Sequence, residues 1–222
     1  ESIDLISFFI LRTLADRVGA PESELALIPF PVEELFTEHL PSFDAIILQD
    51  IDAREYDLDR HFEGMRDYVR RGGGLILVGG PGAFAGGGYA ASPLEEVMPV
   101  HVPPVHETFS QKPLVPRPTR AGLVAPMLAG LRERLGDRLP QMAGANMVGA
   151  AKESALVLWE HPELEAVGKP GTPMPLLSLA EMGDGRSIAL ALDATHELRF
   201  GEEGAETAGR GHTARWEGLL GW

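Results

Sequence analysis

A buried strand that opens into glycines is where α/β folds seat a reacting group or a phosphate. Here Leu75-Ile76-Leu77-Val78 runs into Gly79-Gly80-Pro81-Gly82-Ala83-Phe84-Ala85-Gly86-Gly87-Gly88-Tyr89. The turn holds no serine, threonine, lysine or acid, and the 222 residues hold no cysteine. The setting is that of an active site without its nucleophile. Gly80-Pro81-Gly82-Ala83-Phe84-Ala85 fits the letters of a dinucleotide fingerprint. That chemistry needs a helix N-terminus aimed at the pyrophosphate, and Gly86-Gly87-Gly88 is a poor first turn. No lysine follows, so a P-loop is excluded. Two readings stand: a ligand seat built from Gly79, Gly80, Gly82, Phe84 and Tyr89, or a run of tight turns packing Phe84 and Tyr89 onto the domain.

Asp193-Ala194-Thr195-His196-Glu197 follows the strand expected at Ser187 to Leu192. Carboxyl ends of parallel strands are where such folds build sites, so Asp193, His196 and Glu197 are the catalytic candidates. The alternative is a cap by Asp193 with His196 merely exposed. His161-Pro162-Glu163 offers an imidazole and a carboxylate two residues apart, but Glu160 and Glu165 flank it and a solvated strand end explains it better. His101, His106 and Glu107 lie in proline-rich extended chain, which does not converge ligands, so no metal site is expected.

The elements that must position these groups are legible. Ile3 to Leu11 reads as a strand buried on both faces, Phe43 to Asp50 as a second, and Leu75 to Val78 as a third. Pro31 to Leu40 is a short helix with Pro at its start. Asp57 to Arg71 is the clearest helix, with Asp57 as cap, Leu58, Phe62, Met65 and Val69 on one face, and Gly72 as the stop. Ser92-Pro93-Leu94-Glu95 is a capping box. A proline-dense extended arm spans about 99–120, and Leu123 to Leu135 is helical after Pro126. Strands follow at Ala155 to Trp159, Leu176 to Ala180 and Ser187 to Leu192, the last two joined by a Gly183-Asp184-Gly185 hairpin turn. Thr213 to Trp222 closes as a helix with Trp216, Leu219 and Leu220 inward. Strand–helix–strand order implies a mostly parallel sheet with right-handed crossovers.

Composition bounds the rest. The chain is long enough for one sizeable core, and 44% hydrophobic content with a mean hydropathy of −0.02 describes a soluble globular domain. A net charge of −14 repels phosphate backbones and anionic membranes, so nucleic acid is not an expected partner. No apolar run approaches the roughly 18 residues of a membrane helix. Absence of cysteine excludes disulfides and thiolate chemistry without fixing a compartment. The ends, at Glu1 and Trp222, read as cuts from a longer protein.

The stretch FDAIILQDID…YVRRGGGLILVGGPGAFAGGGYAASPLEEVMPV and the tail GDGRSIALALDATHELRF…ARWEGLLGW resemble the glutamine amidotransferase-like domains of large bacterial proteins. Parents of such domains often carry membrane helices and von Willebrand type A modules. The resemblance implies an α/β, three-layer, flavodoxin-like domain over residues 1–222, with helices on both faces of a mostly parallel sheet and its first strand and helix preceding Glu1. It places the amidotransferase cysteine at about Gly80–Pro81 and the histidine and glutamate near His196-Glu197. Without a thiolate there is no γ-glutamyl thioester. The resemblance therefore implies a catalytically silent binding or interaction module that needs no cofactor. Its expected partners are other domains of its parent, which is itself membrane-anchored in some relatives. A hydrolase using Asp193 and His196, or a carbohydrate- or nucleotide-binding domain, are the alternatives.

Overall fold

The computed structural model describes residues 31–135, 139–193 and 218–222, together with Asp4, Ile6 and Ser7. The strand expected at Ile3 to Leu11 lies outside the described residues except for Asp4, Ile6 and Ser7, which carry no strand; Ile6 is exposed. Of the expected closing helix only residues 218–222 are described. They include a helical turn with Leu219 buried, and Trp216 lies outside.

Six strands form one sheet. They are β1 (Ala45–Gln49), β2 (Gly74–Val78), β4 (Arg117–Pro118), β6 (Leu156–Glu165), β7 (Pro173–Met182) and β8 (Gly185–Leu190), in the order β1-β2-β8-β7-β6-β4. The short β3 (Phe109–Ser110) and β5 (Ala145–Asn146) pair separately, antiparallel. Strands β1, β2 and β8 run parallel, with Ile47 opposite Ile76 and Ile76 opposite Ile188. The other three pairings, β8 with β7, β7 with β6 and β6 with β4, are antiparallel. The sheet is therefore mixed, not mostly parallel as the strand–helix–strand order predicts. The cause is local. Gly183-Asp184 joins β7 to β8 as a two-residue turn, with Gly183 at φ +72°, and so short a link returns the chain alongside itself.

The parallel half follows from its helix. Helix α1 (Phe62–Arg70) crosses from β1 to β2 and buries Phe62, Met65 and Val69, as its spacing predicts. Gly72 stops it at φ +115°, a conformation that needs glycine. Asp57 does not cap it. The helix opens through a 3₁₀ turn at Leu58–His61, and Asp57 takes a left-handed φ of +54° that carries its carboxylate to Arg60, 2.9 Å away. An N-cap needs an extended residue. The capping box at Ser92 is half made. Its hydroxyl accepts from the Glu95 amide, while the Glu95 carboxylate turns to the Ala91 and Val102 amides at 2.8 and 3.0 Å. Pro31 to Leu40 is helical but wound as a π-helix over Glu34–His39.

The proline-rich stretch is extended and stitched into the fold. Val100 bridges Ala151, Leu114 bridges Met142, and Val102, Ser110 and Leu114 are buried. Pro126 divides the following helical region into α2 (Arg120–Val124), a 3₁₀ turn and α3 (Ala129–Leu135). Trp159 on β6 is 2% exposed and joins Leu75, Leu77 and Met65 in one hydrophobic core.

Met65 has no exposed surface. Met65→Ala should lower unfolding free energy by about 2–5 kcal/mol in urea denaturation. A loss under about 1 kcal/mol would show that α1 does not anchor the parallel half.

Candidate active-site cleft

Three chain segments leave the parallel strands at the same edge: Asp50 after β1, Gly79 to Gly82 after β2, and Leu192-Asp193 after β8. The strands hold them in register. The Asp50 amide donates to the Val78 carbonyl (3.1 Å) and the Gly79 amide to the Leu190 carbonyl (2.7 Å). A Cβ at Gly79 would crowd the Leu192 backbone, so the glycine loop and the β8 extension touch. Asp193 therefore stands beside the glycine loop. His196 and Glu197 lie outside the described residues.

Asn146 holds this edge together. It is fully buried on β5, beside Leu192, which bridges Ala145. Its carboxamide oxygen accepts the Gly80 amide at 2.9 Å, and its NH₂ donates to the carbonyls of Gly80 (2.8 Å) and Ala83 (3.3 Å). Asp50 makes a second clasp. Its Oδ1 accepts the Gly82 amide at 2.7 Å. Asp50 sits at φ +45°, uncommon outside glycine though tolerated by aspartate. Partial burial raises its carboxyl above the usual carboxylate range. The Gly82 hydrogen bond opposes that shift and the charge of Asp193 adds to it. Asp193 is thus close enough to Asp50 for the two charges to interact.

A third clasp closes the far side of the loop. Arg54 pairs with Asp52 through two hydrogen bonds, at 2.9 and 2.7 Å, and donates to the Gly86 carbonyl. Desolvation pushes the Asp52 carboxyl up, but the Arg54 guanidinium together with the backbone amides of Arg54 and Glu55 holds it below its ordinary range.

These contacts decide what the loop can do. Gly79, Gly80, Gly82 and Ala83 give their amides to Leu190, Asn146, Asp50 and Gly80 respectively. An oxyanion hole or phosphate cradle needs such amides free. A Cβ at Gly80 would overlap the Asp50 carboxyl carbon, so of the two positions where the resemblance sets a nucleophile, Gly80 admits no side chain while Asp50 stays there and the other is proline. Phe84 and Tyr89 have no exposed surface. The rings of Tyr89 and Phe62 lie 5.2 Å apart, and the Tyr89 hydroxyl donates to the Ile51 carbonyl at 3.0 Å. Both side chains pin the loop to the core.

His161 is not at a solvated strand end. It lies within β6, 6% exposed, and its Nδ1 accepts the amides of Glu163 and Leu164 at 3.1 and 2.8 Å. It serves backbone and makes no acid–base pair with Glu163. His101 is exposed, 3.8 Å from Glu95. Among the described residues no three His, Asp or Glu side chains converge as metal ligands, and no helix is long and apolar enough to cross a membrane. Sequence reading passed over Asn146 and Asp50 as site residues. A polar residue ending a parallel strand was a usable signal for Asp50. A lone Asn in a glycine–alanine stretch gave none.

A family described as "Putative glutamine amidotransferase" matches residues 23–222. Cytoplasmic protein STM3548 from Salmonella typhimurium aligns with a TM-score of 0.60 at 20% identity, over 87% of this chain and 76% of that one. Cytoplasmic protein STM1381 from Salmonella typhimurium LT2 aligns with a TM-score of 0.60 at 22% identity, over 83% and 73%. The cold-adapted β-galactosidase from Rahnella sp. R3 aligns with a TM-score of 0.50 at 13% identity, over 84% of this chain and 23% of that enzyme. No curated protein sequence matches the chain.

Asp50→Asn keeps an oxygen to accept the Gly82 amide and removes the repulsion from Asp193. A carboxyl whose folded pKa is raised costs stability above that pKa, and the cost vanishes below the unfolded value. Asp50→Asn should therefore melt higher than the parent at pH 7, and the gain should fade as pH drops through the raised pKa toward 3.8. Asn146→Ala should lose about 2–4 kcal/mol at every pH, because it orphans buried groups that do not titrate. Thermal melts across pH 3–8 check both; an Asp50→Asn gain independent of pH would refute the charge argument.

Proposed function

The chain belongs to the glutamine amidotransferase-like family, and from that premise we propose that it is a non-catalytic member, a binding or interaction module of a larger protein. The observation that carries this reading is the filled glycine loop. A working amidotransferase needs a thiolate at the strand-end turn and free donors for the oxyanion. Here the chain has no cysteine, the turn cannot take a Cβ at Gly80, and the nearby amides are spent on Asn146 and Asp50. The mixed sheet is read as the centre of a three-layer, flavodoxin-like domain, with helices on both faces. The module reading draws support from the β-galactosidase alignment, where the similar fold makes up 23% of a much larger chain. Other domains of a parent protein are the proposed partners.

A second reading has one observation in its favour. Asp50 and Asp193 lie close enough at the carboxyl edge for their charges to interact, and Asp50 is held above the ordinary carboxylate range, chiefly by burial. Two neighbouring carboxyls in unlike environments are how hydrolases divide acid and base roles. In this reading Asp193, with His196, would activate water. If the cleft instead only binds a small ligand, its two carboxylates suit a hydroxyl-rich molecule and repel a nucleotide phosphate.

The purified chain, incubated with glutamine, should release no ammonia above a buffer control. Gly80→Cys should release none either and should melt lower, because its side chain must displace Asp50. Ammonia release that follows the chain through repurification would overturn the non-catalytic reading.

A further inference from the structure

Nδ1 of His161 accepts two backbone amides at once, from Glu163 and Leu164, inside β6. An imidazole nitrogen accepts only while it carries no proton, so the neutral ring here has its hydrogen on Nε2. The two bonds close a tight irregularity. Pairing between β6 and β7 passes from Glu160 opposite Pro175 to Glu165 opposite Pro173, five residues against two, so the ladder must bulge where His161 sits. The β6–β7 register skips residues of β6 here, and the imidazole supplies one acceptor, Nδ1, which the Glu163 and Leu164 amides share.

Just beyond the bulge the chain joins the segment that carries Asn146. The Val167 amide donates to the Val148 carbonyl at 2.9 Å, and Gly149 bridges Val167 in parallel. Only Met147 separates Val148 from Asn146, whose carboxamide holds Gly80. The bulge, the Val148 segment and the glycine loop thus form one hydrogen-bonded chain.

We propose that His161 is a proton-operated latch: protonation of Nδ1 turns an acceptor into a donor, expels the Glu163 and Leu164 amides together, and frees the end of β6 from His161 to Glu165 with the two residues that follow it. A protonated Nδ1 cannot keep either bond, and N–H would face N–H. The surrounding charges set when this happens. Glu163 is the carboxylate that favours the imidazolium. Glu160 on the same strand is engaged by Arg117 of β4 at 2.9 Å. The facing stretch of β7 presents Pro173, Met174 and Pro175, which do not titrate, and the turn beyond carries Lys169. Burial outweighs Glu163 and pulls the imidazole below its ordinary 6.5. For a base with a depressed folded pKa, the stabilisation is whole above the unfolded pKa. It is lost as pH falls through the folded one. The latch is therefore closed at neutral pH and opens in acid.

NMR on the whole chain tests this. The ring shifts of His161 report its protonation, and amide exchange corrected for intrinsic rates reports the two bonds. As pH is lowered from 7.5 to 4.5, protection of the Glu163 and Leu164 amides should fall about tenfold or more along the same titration curve as the ring, with Val167 following. His161→Asn places a carboxamide oxygen where Nδ1 stands and does not titrate, so its two amides should stay protected throughout. His161→Ala should leave them unprotected at every pH. The latch is overturned if the ring titrates while the amides keep their protection. It is equally overturned if the ring stays neutral to pH 4.5, or if His161→Asn loses protection with the parent's pH profile.

Discussion

One buried carboxamide organises the part of this protein that resembles a catalytic site. Asn146 has one acceptor and two donors to offer, and it commits them to the backbone of the glycine loop. Inside a protein an amide left unpaired costs more than a pairing gains, so a residue that satisfies an amide and two carbonyls dictates where that loop can sit. The loop then lies against Asp50, which takes the Gly82 amide, and against the β8 extension at Leu192. The glycines are required by that proximity. Gly80 touches a carboxyl group where any Cβ would intrude.

The consequence is a glycine turn whose Gly79, Gly80, Gly82 and Ala83 amides are taken up by its own chain. Acyl transfer at such a turn would depend on a nucleophile and open donors. Here the same edge is occupied by carboxylates, Asp50 inside the loop and Asp193 beside it, within a chain of net charge −14. An oxyanion hole offers free donors, whereas Asp50 is an acceptor here and the Gly80 and Gly82 amides are already spent. Any ligand accepted here would meet acceptors, which suits hydroxyl or ammonium groups better than phosphates.

The two halves of the sheet divide the labour. The parallel half, β1, β2 and β8, converges three strand ends on one edge. The antiparallel half, β7, β6 and β4, backs it with hairpin pairings and delivers the Ala145–Asn146 segment through the Val148–Val167 contact. The bulge at His161 sits in the second half and belongs to the same hydrogen-bonded chain, so a change there need not cross the core to reach the first half.

Much of this was legible without coordinates, because it is written in local pattern. Helix α1 shows in the spacing of Phe62, Met65 and Val69, β2 in its unbroken apolar run, and the β7–β8 turn in Gly183-Asp184. The family was legible in the strand–glycine signature, and the lack of a thiol at the turn in the missing cysteine. The mixed character of the sheet was half legible: the hairpin was visible, but its effect on strand order depends on which strands become neighbours. The fate of His161 was not legible, since its letters are the same on a solvated turn or in a bulge, and burial decides between them. Nor was Asn146, 66 residues from the Gly80 it holds. Sequence by itself determined which segments could be strands and helices and that the glycine turn carries no thiol, for these depend on side-chain type and short-range spacing. Only the tertiary structure decided that the loop is filled and Asp50 is its plug. Hydrogen-bond satisfaction of a buried backbone is settled by residues far apart in the chain, brought together when the core forms.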